Sequence, residues 1–478
     1  MASPFPQQFT STVSHWQATN RGPSALWDHG RDAPLPSNVD FLIVGGGITG
    51  ASLAYQLTRP GGAGVGKHIA VVEAKDLASG ATGRNGGHIG PCSWLSFPSL
   101  TASLQDGGAG IDAEAALDVI FNEADTLALA AEIVRSENLD VDFWKGHKME
   151  VFTTETGAAK NVAAREAFEK ARRASKYANR ELEWTLVTDP VEAQRISRTE
   201  GALAVNIGTA GSNHPHRLAT ALMKLAMEAR SSKTELYSHT PVLKLSETQG
   251  GWAVETTRGS IRAENVVLCT NAWTRHLFPE DMERKTGIAA HVTPFRGHAA
   301  LVVPPASYSG EDSIQNTFAV ENGPYLMATP HSGLVFGVYN STALAVGLAG
   351  WDEIFGVEDD SVVLDSFKDW LVDYCPKGFV EWGDELPGEG VNQMWTGIMA
   401  ASADQIPLIG AVPGKAGLWA AVAFHGHGMA RILTVTQSLA ANIKTGEWDS
   451  RLPRVFEITE QRLERGRSAA AIPRFQQS

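Results

Sequence analysis

The chain has 478 residues, a net charge of −13 and a pI near 5.6, with 43% hydrophobic and 19% charged residues. It is long and apolar enough to bury a large core, which excludes disorder as the main state and makes a single small domain too little for its length. The acidic balance and the lack of a run of roughly 18 apolar residues argue against nucleic-acid and membrane partners, and Cys92, Cys269 and Cys375 give neither a disulfide framework nor zinc-ligand spacing, so a reducing, cytoplasmic setting is expected.

Residues 1–38 are polar and rich in Pro, Ser and Trp, and read as an extended arm on the surface. Val39 to Val44 is a short apolar run ending abruptly in glycine, as a buried parallel strand does. A helix is expected over Gly50–Leu57 and a second buried strand over His68–Glu73, which completes a βαβ unit. Helical periodicity marks 111–135, 157–180 and 216–230, the last capped by His214 and His216. Strands follow at 240–246, 252–257 and 261–268, and sheet-like segments at 288–303 and 325–339. A helix at 361–373, a strand over Gly417–Ala423 and a helix from Gly428 to Lys444 complete the series. Dinucleotide-type features at the start, middle and end predict an α/β fold: a discontinuous nucleotide domain (39–95, 205–280, 395–450) with an inserted second domain (96–204, 281–394) and a tail at 451–478.

Three motifs carry chemistry. Gly45, Gly47 and Gly50 fit G-x-G-x-x-G between strand and helix: a tight turn, a close backbone approach to a pyrophosphate, and close helix–strand packing. The helix N-terminus opening at Ile48 and Thr49 presents N–H donors and positive dipole to phosphate. Glu73, 23 residues after Gly50, ends the second strand where a carboxylate accepts ribose hydroxyls, which disfavours a 2′-phosphate. Ser79 to His88 (SGATGRNGGH) adds backbone donors, hydroxyls and a cation beside that strand, suiting a diphosphate or a flavin ring better than a nicotinamide. Phe424 to Met429 (FHGHGM) places a second helix start where its dipole favours negative charge on a reduced flavin. Its two histidines lack a third ligand at helical or hairpin spacing, so no metal is expected.

Together with VVLCTNAW (266–273), TPFRGH (293–298) and WTGIM…D..P.IG (395–410), these motifs occur in an order that resembles the FAD-dependent D-amino-acid oxidase superfamily, the glycine oxidase and sarcosine oxidase group. SGATGRNGGH is most similar to the gamma-glutamylputrescine oxidase-like branch, and the polar arm resembles its fungal members. The resemblance runs from about residue 38 to 445. It implies a Rossmann-like FAD-binding domain with an inserted α+β substrate domain on a mixed or antiparallel sheet. The implied cofactor contacts are Gly45, Gly47, Ile48, Thr49, Gly50, Glu73 and Ala74; Ala81, Thr82, Arg84, Asn85, Gly86, Gly87 and His88; Val242, Thr270, Asn271 and Trp273; and Gly426, His427, Gly428 and Met429.

Departures from the family pattern sharpen the expectations. Met399 stands where glycine oxidase-like proteins have a substrate-gripping arginine, so the substrate is expected not to depend on an α-carboxylate clamp there, with Arg296 as the nearby cation. Gly397 and Arg84 stand where related branches link flavin through cysteine or histidine, so FAD is expected to be non-covalent, with His88 the residue to test. The oxygen-activating lysine of sarcosine oxidase-like proteins falls near Val335, leaving oxidase and dehydrogenase both open. Tyr325, Trp395 and Met399 are expected to wall an apolar pocket for a cationic amine, and His88, His425, Tyr325 and Arg296 are the candidate catalytic side chains.

The resulting expectation is an FAD-dependent oxidation of the C–N bond of an amine or amino-acid derivative to an imine, by hydride transfer to flavin N5. Molecular oxygen is a candidate acceptor, and the protein is expected to be a monomer or small homo-oligomer. Two other readings stand beside it: a biosynthetic oxidase or dehydrogenase acting on a cyclic or peptide-like intermediate, and a binding module whose FAD is structural.

Overall fold

A computed structural model of the chain describes residues 11–469, with side chains to 464. Two sheets organise it. In the first, strands Leu418–Val422, Gly259–Leu268, Asn38–Val44, His68–Val72 and Lys233–Tyr237 lie parallel in that order. The run FLIV of the central strand is buried on both faces, which its unbroken apolar character requires. Helix Ile48–Thr58 packs between helices Pro215–Glu228 and Ile432–Thr445, and its small residues bury it on nearly every side. Chain order reverses beside Asn38–Val44, so the carboxyl ends of the central strands open a crevice.

The second sheet is mixed, in the order Gly390–Ser402, Val292–Val303, Gly333–Val338, Pro324–Thr329, Thr317–Val320, Trp144–Phe152, Ala204–Ser212 and His88–Ile89. Only the pairing of Thr317–Val320 with Trp144–Phe152 is parallel along this order. Strand alternation divides its faces. Met149, Val151, Leu326, Phe336 and Ala300 form one apolar face, covered by Phe367, Leu371 and Cys375 of helix Asp365–Gly378. Lys148, Glu150, Tyr325 and Trp395 fall on the other face, toward the first sheet. Among the described residues no helix is long and apolar enough to cross a membrane.

The elements expected from the sequence are present with shifted ends. Helices fall at Ala113–Ser136, Glu155–Arg173 and Asp365–Gly378, and 325–339 is two strands joined by a turn. Gly428–Ala430 is a single 3₁₀ turn and the last long helix starts at Ile432, because Gly426 and His425 hold positive φ just before it. His214 alone caps its helix, its Nδ1 accepting from Arg217 N at 3.2 Å, while His216 stacks on Trp27 at 5.1 Å. Strands 204–212 and 390–402 belong to the second sheet, so the expected domain boundaries at 205 and 395 cut through a strand or fall inside one.

One terminal expectation is corrected. Residues 14–17 do not lie on the surface: Ser14, His15, Trp16 and Gln17 are buried. Trp16 packs among Met327, Val335 and Trp395, its Nε1 donating to Asn85 O at 2.6 Å. Ser14 donates to Gly83 O and Gln17 to Ser79 O, so the arm grips the SGATGRNGGH loop from behind. The tail is also anchored. Phe456 is fully buried, and Arg462 makes a two-point ion pair with buried Asp404 at 2.7 and 2.9 Å. The Trp16→Ala variant should lose about 3–5 kcal/mol of stability and release flavin more readily during gel filtration. Thermal unfolding and the flavin absorbance of the eluted protein measure both.

Candidate active site

The crevice of the first sheet is lined by the loops that follow its strands. Gly45, Gly47, Ile48 and Thr49 form its floor, with Glu73 and Ala74 on one side and Thr270, Asn271 and Trp273 on the other. Gly45 takes φ +108°, and a Cβ there would stand 2.6 Å from Cys269 O, so the turn requires glycine. A Cβ on Gly50 would stand 2.0 Å from Gly45 O; this glycine lets helix and strand touch and does not line the crevice. Glu73 is fixed by its own backbone surroundings: Oε2 accepts from Gly46 N at 2.7 Å and Oε1 from Lys75 N at 2.9 Å. Burial pushes its pKa up, against those two donors, and each oxygen retains a lone pair for a ribose hydroxyl.

The second motif folds over the first. Thr82 Oγ1 accepts from Ile48 N at 2.9 Å, capping the helix start, and Ala81 and Asn85 line the cavity. Asn85 shapes its own loop by accepting from Gly87 N at 2.7 Å. Gly86 and Gly87 are required by crowding: a Cβ on Gly86 would stand 2.7 Å from Tyr325 Cε2, and one on Gly87 2.8 Å from Trp16 Cζ2. Arg84 is corrected from a cofactor contact to a brace. Its guanidinium donates to Ser79 O, Thr396 O and Thr12 Oγ1 at 2.8, 2.9 and 3.1 Å, and lies 3.6 Å from Asp360.

The third motif joins the others through Asn271, whose Oδ1 accepts from Ala423 N at 3.1 Å. Ala423, His425 and Gly426 hold φ of +60°, +53° and +80°, a strained turn that brings Gly426, Gly428 and Met429 to the cavity with Met399. Val242 and Ser79 also line it, as do Lys75, Thr240 and the acidic run Glu358–Asp360, three features the sequence did not point to.

Beyond the flavin-sized cavity lies a second group of side chains. His88 meets Tyr325 edge-on at 5.6 Å, and Tyr325 meets Tyr339 at 5.1 Å. Tyr339 keeps 39% of its surface accessible, while its buried surroundings raise its phenol pKa. Burial lowers the pKa of His88 and His427 to about 4 and of His425 to about 3. Behind His427, buried Glu123 accepts from Arg431 Nε at 2.7 Å and from Cys92 N at 2.8 Å. Burial alone would raise the Glu123 pKa, but Arg431 and His427 outweigh it and hold it low. Cys92, Glu123 and His427 come within 4.8 Å of one another, but burial raises the Cys92 thiol and Arg431 already neutralises Glu123, which is a poor donor set for a cation.

Two further expectations fail on geometry. Arg296 donates to Glu353 O at 2.8 Å and Asp359 O at 3.4 Å and does not line the cavity. Trp395 is fully buried, with Nε1 donating to Arg84 O at 2.8 Å, and so has no surface to offer a substrate.

The sequence matches the FAD dependent oxidoreductase (DAO) family over residues 40–440. The chain belongs to that family. It is 24% identical to the glycine oxidase of Geobacillus kaustophilus (strain HTA426), over 82% of this chain and 89% of that protein. It is 23% identical to the gamma-glutamylputrescine oxidoreductase of Escherichia coli (strain K12), over 82% and 80%. The crystal structures of glycine oxidase from Geobacillus kaustophilus and of L-proline dehydrogenase from P. horikoshii share its fold, with TM-scores of 0.67 and 0.68 at 21% and 20% identity. They cover 89% and 90% of this chain and 99% of each of those chains.

The cofactor of this DAO-family protein is FAD, and the residues present fit it. Gly45, Gly47 and the start of helix Ile48–Thr58 would hold the pyrophosphate, Glu73 the ribose, and Met399 with Gly426–Met429 the ring. Ser79 Oγ, buried at the cavity wall, has no partner among the described residues and is a donor that a bound cofactor would satisfy. A Cβ on Gly397 would stand 2.9 Å from Arg84 Cβ, so the two positions that carry flavin-linking residues in related branches meet here without a nucleophile. His88 Nε2 lies 3.1 Å from Leu326 O. Acid or heat should therefore release free FAD into the supernatant. Colour that stays with precipitated protein would contradict this, and peptide mass mapping would then examine His88 first.

Proposed function

We propose that this protein oxidises the C–N bond of an amine or amino-acid derivative to an imine. FAD supplies the hydride acceptor, at N5 of its ring. The observation that carries the reading is the crevice that fits FAD, lined by Gly45, Gly47, Glu73, Met399 and Gly426, together with the aromatic contacts among His88, Tyr325 and Tyr339 that follow the SGATGRNGGH loop. Tyr325 and Tyr339 give an amine aromatic walls. Positioning of the α-carbon hydrogen supplies much of the rate, so no dedicated strong base is required. His88, His425 and His427 are neutral acceptors with low proton affinity at neutral pH. The relatives support the same chemistry through the substrates in their names: glycine, dimethylglycine and gamma-glutamylputrescine.

Because these histidines titrate near 3–4, the pH profile of flavin reduction should show no histidine limb between pH 6 and 8. Its one rising limb should move with the pKa of the amine when substrates of different basicity are compared. A fixed limb near the ordinary histidine value of about 6.5 would contradict this.

Within the family we place the chain in the gamma-glutamylputrescine oxidase-like branch, of fungal type, on its SGATGRNGGH loop and N-terminal arm. A cytoplasmic monomer or small homo-oligomer, with oxygen as a candidate electron acceptor, completes the proposal. Aerobic incubation with a panel of primary and secondary amines, with hydrazine trapping of carbonyl products and peroxide assay, tests it. A carbonyl formed in step with amine loss is expected, and peroxide separates oxidase from dehydrogenase. A flavin-loaded protein that converts none of the panel would favour the binding-module reading.

A further inference from the structure

The buried half of strand Trp144–Phe152, Lys148 to Phe152, carries two charged residues, Lys148 and Glu150. They are two apart and so project from the same face, the face that carries Tyr325: Glu150 pairs with Ala319, which pairs with Tyr325 on the next strand. Two strand spacings put the Glu150 and Tyr325 backbones roughly 10 Å apart, within reach of a small molecule held at both ends.

Lys148 is 8% exposed. Its Nζ donates to Glu150 Oε1 at 3.1 Å, the one acceptor it has among the described residues. Glu150 is better provided: its Oε2 also accepts from Ser93 Oγ at 2.5 Å and Asn206 Nδ2 at 3.0 Å. An ammonium has three donors and no acceptor, so the carboxylate is satisfied while two N–H groups of a buried cation are not. Leaving donors of a buried charge unmade is costly. The Trp184 ring, with its centroid 5.8 Å from Nζ, is a weak substitute.

The space for an acceptor is beside His88. A Cβ added at Gly90 would meet nothing closer than Lys148 Cδ at 3.8 Å and His88 Cβ at 3.9 Å. His88 leads by edge contact to Tyr325 and then to Tyr339, which keeps 39% of its surface accessible. The Glu150 charge holds Lys148 in its protonated form despite burial, so Nζ keeps all three donors. A substrate ammonium brings no acceptor to them, and an anion completes the hydrogen bonding.

We propose that Lys148 binds an anionic substituent, a carboxylate, that the amine substrate carries several bonds from its reacting carbon. This rests on the amine-oxidation reading and narrows it to amino acids whose amine and carboxylate are set apart. It also accounts for Met399: the carboxylate is held by Lys148, so no cation is needed beside Met399.

Butanoate is the probe, titrated into the FAD-loaded protein while flavin absorbance is followed. No turnover is read, so failure of amine oxidation and failure of this site are separate results. Saturable perturbation by butanoate is expected. Its dissociation constant should rise tenfold or more in Lys148→Met and recover in large part in Lys148→Arg. Since Lys148→Met strands the Glu150 charge, the Lys148→Met/Glu150→Gln variant, which buries no charge, repeats the test in a protein with normal FAD content. Butan-1-ol, of similar size, should bind wild type and variant alike. No saturable response to butanoate, or equal dissociation constants in wild type and the double variant, would overturn the proposal.

Discussion

The Gly47→Val variant should fold and carry no FAD. The three fingerprint glycines are not equivalent probes. Substituting Gly45 or Gly50 drives a side chain into backbone carbonyl oxygen, so loss of flavin there would report misfolding. Gly47 has φ −72°, which any residue adopts, and a Cβ there meets only Thr82 Oγ1 at 3.0 Å. The valine methyl groups would occupy the approach to the N–H groups that open helix Ile48–Thr58. Losing two charge-assisted hydrogen bonds to the pyrophosphate, at about 1.5–3 kcal/mol each, weakens binding ~10²- to 10⁴-fold. The flavin-to-protein absorbance ratio after dialysis reads this directly, with circular dichroism as the control for folding. Full FAD occupancy in a folded variant would show that the pyrophosphate lies elsewhere.

Acid should unfold the protein well above the pKa range of its carboxylates. His15, His214, His216 and His298 are 4% exposed or less, and burial lowers their pKa values to about 4, 3, 4 and 3. In the unfolded chain each titrates near 6.5. Below that pH the unfolded state binds protons that the native state refuses, so stability falls as pH falls, until the native values are reached. Each histidine contributes about 1.4 kcal/mol per pH unit in that window. The four together cost about 6 kcal/mol at pH 5.5 and about 11 kcal/mol at pH 4.5, against a typical total of about 5–15 kcal/mol. Cooperative unfolding near pH 5 is therefore expected, followed by tryptophan fluorescence, with full stability above pH 7. Three of the four surround the N-terminal arm: His15 lies on it, His214 Nε2 donates to Thr19 Oγ1 at 3.0 Å, and His216 stacks on Trp27. Flavin should leave with the arm, so fluorescence of released FAD should rise in the same transition. A protein that holds its FAD and its fold at pH 4 would contradict the account.

The sequence was informative where chemistry depends on local backbone. G-x-G-x-x-G, Glu73 and FHGHGM describe turns whose donors and close approaches are set by neighbouring residues, and Gly45, Gly47, Glu73, Gly426 and Met429 line one cavity. It was silent where a side chain's role depends on which face a strand presents. Arg296 shares a short motif with cavity neighbours, yet alternation puts it with Ala300, on the face covered by helix Asp365–Gly378. Lys148 and Glu150 sit in a run that no turn signal sets off, and their burial becomes legible only once Asn206 and Ser93 are brought to them. The arm misled for a related reason. Its composition is that of a surface strap, but Trp16 finds a slot between Met327 and Trp395 that no local pattern encodes. Arg84 reads as a phosphate ligand beside a glycine-rich loop, and only the return of strand Gly390–Ser402 shows that Thr396 O claims it.

The central claim is that a flavin held in this crevice takes electrons from an amine. Anaerobic mixing of the FAD-loaded protein with amines and amino acids, followed by flavin absorbance, tests it most directly. The account predicts bleaching by at least one amine, fastest for one bearing a distant carboxylate, with colour restored when an electron acceptor is admitted. Flavin that stays oxidised with every amine while dithionite bleaches it at once would contradict the account.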